Sequence, residues 1–433
     1  MNAARQARPG GARVPRPALA SFLGVFSATL LCFLAIGAVL PVLPRYVKGP
    51  IGAGDIAVGV VIGAFAITAL VSRPLGGRLA DTRGRKAVHT WGMLVCVLGG
   101  ALLFLPFGVP GLLLARLVVG FGDGWVFTAG VTWIVDLAPA ARRGQAIGVF
   151  GLAIWGGLTF GSVVGEGFYA LGGYDAVWAF ATVAPLFGVL VARTIDEGTA
   201  HIQPVAEELA TAEMGLATAP QGPAPAGAGA AAGAPAGPRR WIPREAVRPG
   251  IALALANVGY GTMAGFVVLL LDQRGIGHGA ATFTIFAGSV VLSRLVVGTL
   301  PDRIGPRRSA FGAGLVQACG LGLVGAAHSW PVAIVGAVVM GAGMSLVFPS
   351  LALIVVRRIG EDRRGAAMGA FTSFFDLGVG LGAPFAGLVA SLGGGGHYPA
   401  AFYAGAALCA LGACIGYISS RGLPAARAYA SAR

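Results

Sequence analysis

The sequence predicts an all-α membrane protein of 12 transmembrane helices, arranged as two pseudo-symmetric six-helix bundles. Three observations predict it: apolar segments of bilayer length, a repeat at one constant offset, and basic residues concentrated in alternate loops. Of 433 residues, 56% are hydrophobic and only 11% are charged, and the mean hydropathy is +0.79. A water-soluble domain carries roughly a quarter charged residues. Most of this chain's surface therefore faces something other than water.

Apolar stretches of about 20 residues suffice to cross a hydrocarbon core of about 30 Å. They lie near 19–43, 56–77, 87–107, 111–135, 145–171 and 176–193, and resume near 249–271, 280–300, 309–327, 331–356, 365–391 and 399–419. The first follows an Arg-containing tail with no small-residue cleavage site, so it is expected to stay as a helix rather than leave as a signal. These spans divide the chain into a tail over 1–18, a bundle over 19–193, a linker over 194–248, a bundle over 249–419 and a tail over 420–433.

The net charge of +14 is patterned rather than gathered on one face, which argues against a nucleic-acid partner. Arg5, Arg8, Arg13 and Arg16 precede the first span, and Arg78, Arg83, Arg85 and Lys86 follow the second. Further basic groups sit at Arg142 and Arg143, around the linker, at Arg303, Arg307 and Arg308, and at Arg357, Arg358, Arg363 and Arg364. The intervening loops hold only Arg45, Lys48 and Arg274. The positive-inside rule then places both termini and the linker in the cytoplasm of a multi-pass inner (plasma) membrane protein.

Shifting the sequence by 221 residues aligns the halves. Ser72, Arg73, Gly77, Leu79, Asp81 and Gly84 meet Ser293, Arg294, Gly298, Leu300, Asp302 and Gly305. Arg142, Arg143, Gly144, Gly148 and Phe150 meet Arg363, Arg364, Gly365, Gly369 and Phe371. Duplicated parallel halves are a transporter plan, with the substrate held between them near the midplane. The Ala/Gly/Pro-rich segment 215–238 has a single large apolar side chain, Leu216, to bury and is expected to be a flexible tether. Trp241, among Arg239, Arg240 and Arg244, reads as an interfacial anchor.

The segment from Gly77 to Lys86, GRLADTRGRK, resembles the loop signature of the major facilitator superfamily, and a second copy runs from Gly298 to Arg308 with Pro306 in place of a basic residue. The resemblance covers essentially the whole chain outside the tail and linker. It implies the fold of that superfamily, two six-helix bundles that alternate access to a central site. It also implies a latch in which Asp81 faces the N-terminus of the eleventh helix, where the partial positive charge suits a carboxylate. Independently of the resemblance, Asp81 among Arg78, Arg83, Arg85 and Lys86 is placed to form a charge-assisted network, the alternative being a solvated topogenic loop.

In the fourth span, Arg116-Leu-Val-Val-Gly120 resembles a motif that the superfamily links to proton coupling. An arginine at mid-membrane costs on the order of 2.5–3.5 kcal/mol on insertion scales, so a functional role is the default. Asp123 follows two turns later on the same face. A buried structural pair is the alternative for both. In the fifth span, Gly148, Gly157, Gly161 and Gly165 hold the glycine spacing of the superfamily's antiporters, with Ser162 in place of its proline and Glu166 in place of its last glycine. The first span ends in Pro41 and Pro44, which should bend it.

Asp376 is the remaining intramembrane acid, in the eleventh span. An Arg73–Asp376 ion pair is expected to close the cytoplasmic gate, together with Asp81, Arg85, Asp302 and Arg294. The repeat mate of Asp376 is Trp155, so Arg294 lacks the equivalent partner. Proton-coupling candidates are Arg116, Asp123, Glu166 and Asp376. Cavity candidates are Trp125, Thr132, Trp133, Trp155, Asn257, Tyr260 and Gln317.

Five cysteines lie singly in apolar spans without metal-ligand spacing, and no G-x4-G-K-[ST] phosphate loop occurs. Neither metal nor cofactor is expected, and the transport would run on an ion gradient. The expected function is proton-coupled efflux of a drug, sugar or secreted metabolite. The alternatives are a proton-coupled uptake symporter and, more distantly, an intramembrane enzyme, for which clustered catalytic groups are lacking. The expected partners are a small-molecule substrate, protons and the lipid bilayer, and the protein is expected to be a monomer.

Overall fold

The computed structural model describes residues 16–138, 143–195, 244–359 and 364–419. Residues 1–15, 139–142, 196–243 (most of the expected linker, with Trp241), 360–363 and 420–433 lie outside the described residues. All regular structure among the described residues is helical.

In the first half, α1 (Arg16–Val39) breaks over three residues and resumes as α2 (Leu43–Lys48). Pro41 sits in the break, where its missing N–H leaves no helical bond to lose, and Pro44 lies in the first turn of α2. Next come α3 (Asp55–Arg83), α4 (Arg85–Leu102), α5 (Gly108–Leu137) and α6 (Arg143–Thr194). The last is not one rod. Gly173 adopts φ +66° and ψ −152°, a conformation closed to other residues, and with Gly172 it breaks α6 in two.

The second half contains α7 (Arg244–Gln273), α8 (Gly279–Val297), α9 (Leu300–Ile304), α10 (Pro306–Ala326), α11 (Trp330–Val356), α12 (Arg364–Ser391) and α13 (Tyr398–Ser419). Among the described residues, ten helical segments are long and apolar enough to cross a membrane. The expectation of twelve rests on splitting α6 at its glycines and adding the 18-residue α4.

The loop signature is mostly helix. Residues Gly77 to Arg83 form the last turns of α3, beyond the expected end near 77, and Gly84 alone makes the turn into α4 with φ +91°. Its repeat mate Gly305 makes the same turn with φ +87°. The second copy differs one step earlier. Pro301 stands where the first half has Ala80; it cannot donate to the Val297 carbonyl, and the helix divides there into α8 and α9.

Two seams join the halves: α3 packs on α12, and α6 packs on α8. The repeat exchanges these seams, since α3 is the mate of α8 and the first part of α6 is the mate of α12. On the first seam the contact is backbone to backbone. A methyl group added at Gly63 would lie 2.8 Å from Pro384 Cδ. Within the first half, Gly161 and Gly165 bring α6 against α1 in the same way. The outer surface keeps large apolar side chains such as Phe160, Leu171 and Val71. A surface of this kind belongs against lipid rather than water.

A candidate transport site between the bundles

A cavity of about 230 Å³ lies between the two halves and draws its walls from both. From the first half come Arg73 on α3, Asp123 and Phe127 on α5, and Phe150 and Trp155 on α6. The second half adds Asn257 and Tyr260 on α7, Arg294 on α8, Gln317 on α10, Met344 on α11 and Asp376 on α12. Apolar and aromatic side chains dominate, with a few converging polar groups, as in small-molecule sites generally.

Helical periodicity decides which residues face this space. On α5, Asp123, Phe127 and Val131 recur every four residues and line the cavity. Trp125, Thr132 and Trp133 fall off that stripe, which corrects the expectation that they line it. Trp125 packs on Phe121. Thr132 Oγ1 donates back to the Thr128 carbonyl at 3.0 Å, and Trp133 is buried inside the first bundle against His89. Trp155, Asn257, Tyr260 and Gln317 do face the cavity.

One guanidinium organises the charged wall. Arg73 Nη2 lies 3.0 Å from Asp376 Oδ1 across the two halves and 3.7 Å from Asp123 Oδ2 within its own half. Both carboxylates are 3% exposed. The Arg73 guanidinium also lies over the Phe127 ring, 4.2 Å from its centre. Three helices, α3, α5 and α12, thus converge on one ionic triad. The triad contains more acid than base.

Arg116 is held elsewhere. It is buried between α5 and α3, donating Nε to the Val61 carbonyl at 3.3 Å and Nη2 to the Ile62 carbonyl at 3.4 Å, above the Phe65 ring. It lines a second, smaller cavity rather than the central one. Glu166 also lies away from the central cavity, paired with Arg45 at 2.9 Å. At the Arg-rich end, Arg85 pairs with Asp136 at 3.0 Å and with Asp81 at 3.5 Å, and Asp81 is 71% exposed. The start of the eleventh helix, which the latch requires, and the Asp302 side chain lie outside the described side chains.

The opposite end carries a cluster that the sequence reading missed. Arg45 joins Glu166 of its own half to Asp272 of the other, at 2.9 and 3.2 Å. Beside it, Asp55 accepts from Lys48 at 2.9 Å, from the Gly396 backbone N–H at 3.0 Å and from Tyr398 Oη at 3.1 Å. Charges cross between the halves here as well. The available signal was the isolation of Arg45 and Lys48 in loops otherwise nearly free of basic residues.

A family model described as the Major Facilitator Superfamily matches residues 25–322 and 251–429. The chain belongs to that superfamily. Among its relatives is the uncharacterized MFS-type transporter STM4428 of Salmonella typhimurium, 30% identical over 405 residues, covering 92% of this chain and 96% of that protein. The MFS-type transporter YhhS of Escherichia coli is 31% identical over 388 residues, covering 88% of this chain and 87% of that one. In fold, the chain is similar to the nucleoside transporter NupG, with a TM-score of 0.71 at 14% identity over 93% of this chain and 100% of that chain. It is also similar to a D-xylose–proton symporter, with a TM-score of 0.70 at 14% identity, over 95% and 98% of the two chains. The protein is a multi-pass membrane protein of the transporter type.

Proposed function

We propose that this transporter exports a small molecule by alternating access in exchange for protons, with Asp376 and Asp123 as the proton carriers and Arg73 as the group they share. The supporting observation is the triad itself: two buried carboxylates from opposite halves meet one guanidinium in the cavity wall. One negative charge is left over, and an unpaired charge in a dry site is costly. A bound proton removes it. Protonation of Asp376 also removes the charge that draws Arg73 across the interface, so proton binding and separation of the bundles become linked events.

The opposite end supplies the second gate. Arg45 with Asp272, and Asp55 with Tyr398 and Gly396, tie the halves together there. In the proposed cycle this tie breaks when the Arg-rich end closes. Export, rather than uptake, is supported by the glycine spacing of α6, where Gly157, Gly161 and Gly165 seat the helix against α1. We place the termini and the linker in the cytoplasm on the distribution of basic loops.

The test is proton movement in proteoliposomes, triggered by candidate drugs, sugars and secreted metabolites. Antiport predicts that outward substrate movement acidifies the interior, and that Asp376→Asn abolishes the proton signal. Substrate and proton moving in the same direction would make the protein a symporter. Transport with no proton signal in the wild type would remove the coupling altogether.

A further inference from the structure

The two halves place an arginine at the same position, but only one of them has counter-charges. Arg73 and Arg294 are repeat mates. Around Arg73 stand Asp123 and Asp376; the mates of those acids are Met344 and Trp155, and both line the cavity beside Arg294. Among the described residues Arg294 forms no ion pair. Its Nη2 donates to the Ser345 backbone carbonyl at 3.3 Å, and its Nη1 lies next to Gly151 of the opposite half. A guanidinium stays charged at physiological pH. Held in a largely apolar wall, it is stabilised by any anion that reaches it.

Two buried amides stand in the same wall. Asn257 Nδ2 donates to the Leu253 carbonyl at 2.8 Å, and Gln317 Nε2 donates to the Ala256 carbonyl at 2.7 Å. A carbonyl partner requires the amide NH2, so neither side chain is free to flip. Their Oδ1 and Oε1 atoms are buried, with no hydrogen-bond partner among the described residues. Each is an unfilled acceptor within the cavity wall.

We propose that the substrate is a small organic carboxylate carrying a hydroxyl or amine. The carboxylate binds Arg294, the donor serves Asn257 and Gln317, and the apolar body rests on Trp155 and Phe348. The repeat explains how such a site arises: one arginine serves the triad and the other is left for the ligand. The inference rests on reading this cavity as the transport site, and it is independent of proton coupling.

The experiment is ligand titration of the purified full-length protein in detergent, read by thermal midpoint and tryptophan fluorescence. The probes are 4-hydroxybenzoate, mandelate and lactate, each beside its neutral amide. At least one carboxylate should raise the midpoint and saturate, while its amide does neither. Arg294→Gln should weaken that binding about tenfold or more, a loss of one charge-assisted contact. Arg294→Lys should retain part of it, which separates ligand binding from misfolding. Met344→Asp, placing an acid beside Arg294, should also weaken it. Equal binding of acid and amide, unchanged binding in Arg294→Gln, or no saturable response to any of the three acids overturns the proposal. Carboxylate binding without proton movement would remove the antiport reading and leave this one. Proton-linked transport of neutral solutes alone would do the reverse.

Discussion

At the scale of single residues, the account turns on how Arg73 is shared. Its contact with Asp376 crosses the bundles and is the shorter of the two, whereas its contact with Asp123 stays within one bundle. The pair should therefore behave as a unit. Arg73→Ala and Asp376→Asn are each expected to cut transport, and the double variant should lose little more than the worse single. A double-mutant cycle should give a coupling of roughly 0.5–3 kcal/mol, the usual range for residues in contact; strictly additive effects would dissociate the two. Arg116 calls for a different outcome. Its guanidinium donates to two backbone carbonyls of α3, so Arg116→Ala should destabilise the first bundle by about 1.5–3 kcal/mol, the range for bonds to charged groups. Unchanged thermal stability in that variant would mean these bonds contribute nothing net. The charged residues were legible in the sequence because an intramembrane charge stands out against apolar neighbours. The wall residues of α5 were not, because composition gives residue type and not helix rotation. Trp125, Thr132 and Trp133 were chosen for polarity or ring, while Phe127 and Val131, which share a face with Asp123, were passed over.

At the scale of helices, the α3–α12 seam is the contact most sensitive to side-chain size. Gly63 lies against the Gly380 carbonyl and Pro384, so a branched side chain there must force the helices apart. Gly63→Val should weaken closure at the end opposite the Arg-rich loops, and cysteine accessibility at that end should rise. No change in accessibility would show that the seam yields without separating. Helix ends were the least legible part of the fold. The loop signature was expected to begin where α3 ends, yet α3 runs through it to Arg83, since nothing before Gly84 interrupts the helix. In the second half Pro301 does interrupt it, and its effect was readable from the missing donor alone. The break in α6 was legible, since Gly172 and Gly173 fall between the expected spans 145–171 and 176–193.

At the scale of the molecule, two ionic ties among the described residues cross the interface, one in the cavity wall and one at the end opposite the Arg-rich turn after α3. Alternating access needs the two to release in turn. Arg45→Gln, which removes the bridge from α2 to Asp272, should shift the protein toward opening at that end and leave the Arg73 triad intact. The duplicated plan was visible in the sequence through one constant offset. The Arg45 and Asp55 cluster was not, because Arg45 and Asp272 are 227 positions apart and no pattern links them.

The central claim is that protonation of the Arg73 triad governs separation of the bundles. It is tested most directly with spin labels on Thr82→Cys and Arg303→Cys, exposed repeat mates at the Arg-rich end of α3 and in α9, in a background free of native cysteines. Electron–electron resonance distances measured as the pH is lowered should move toward a more separated population. Asp376→Asn should show that population at every pH. Distances that ignore pH in the wild type, or that still respond fully to pH when both Asp376→Asn and Asp123→Asn are present, would contradict the account.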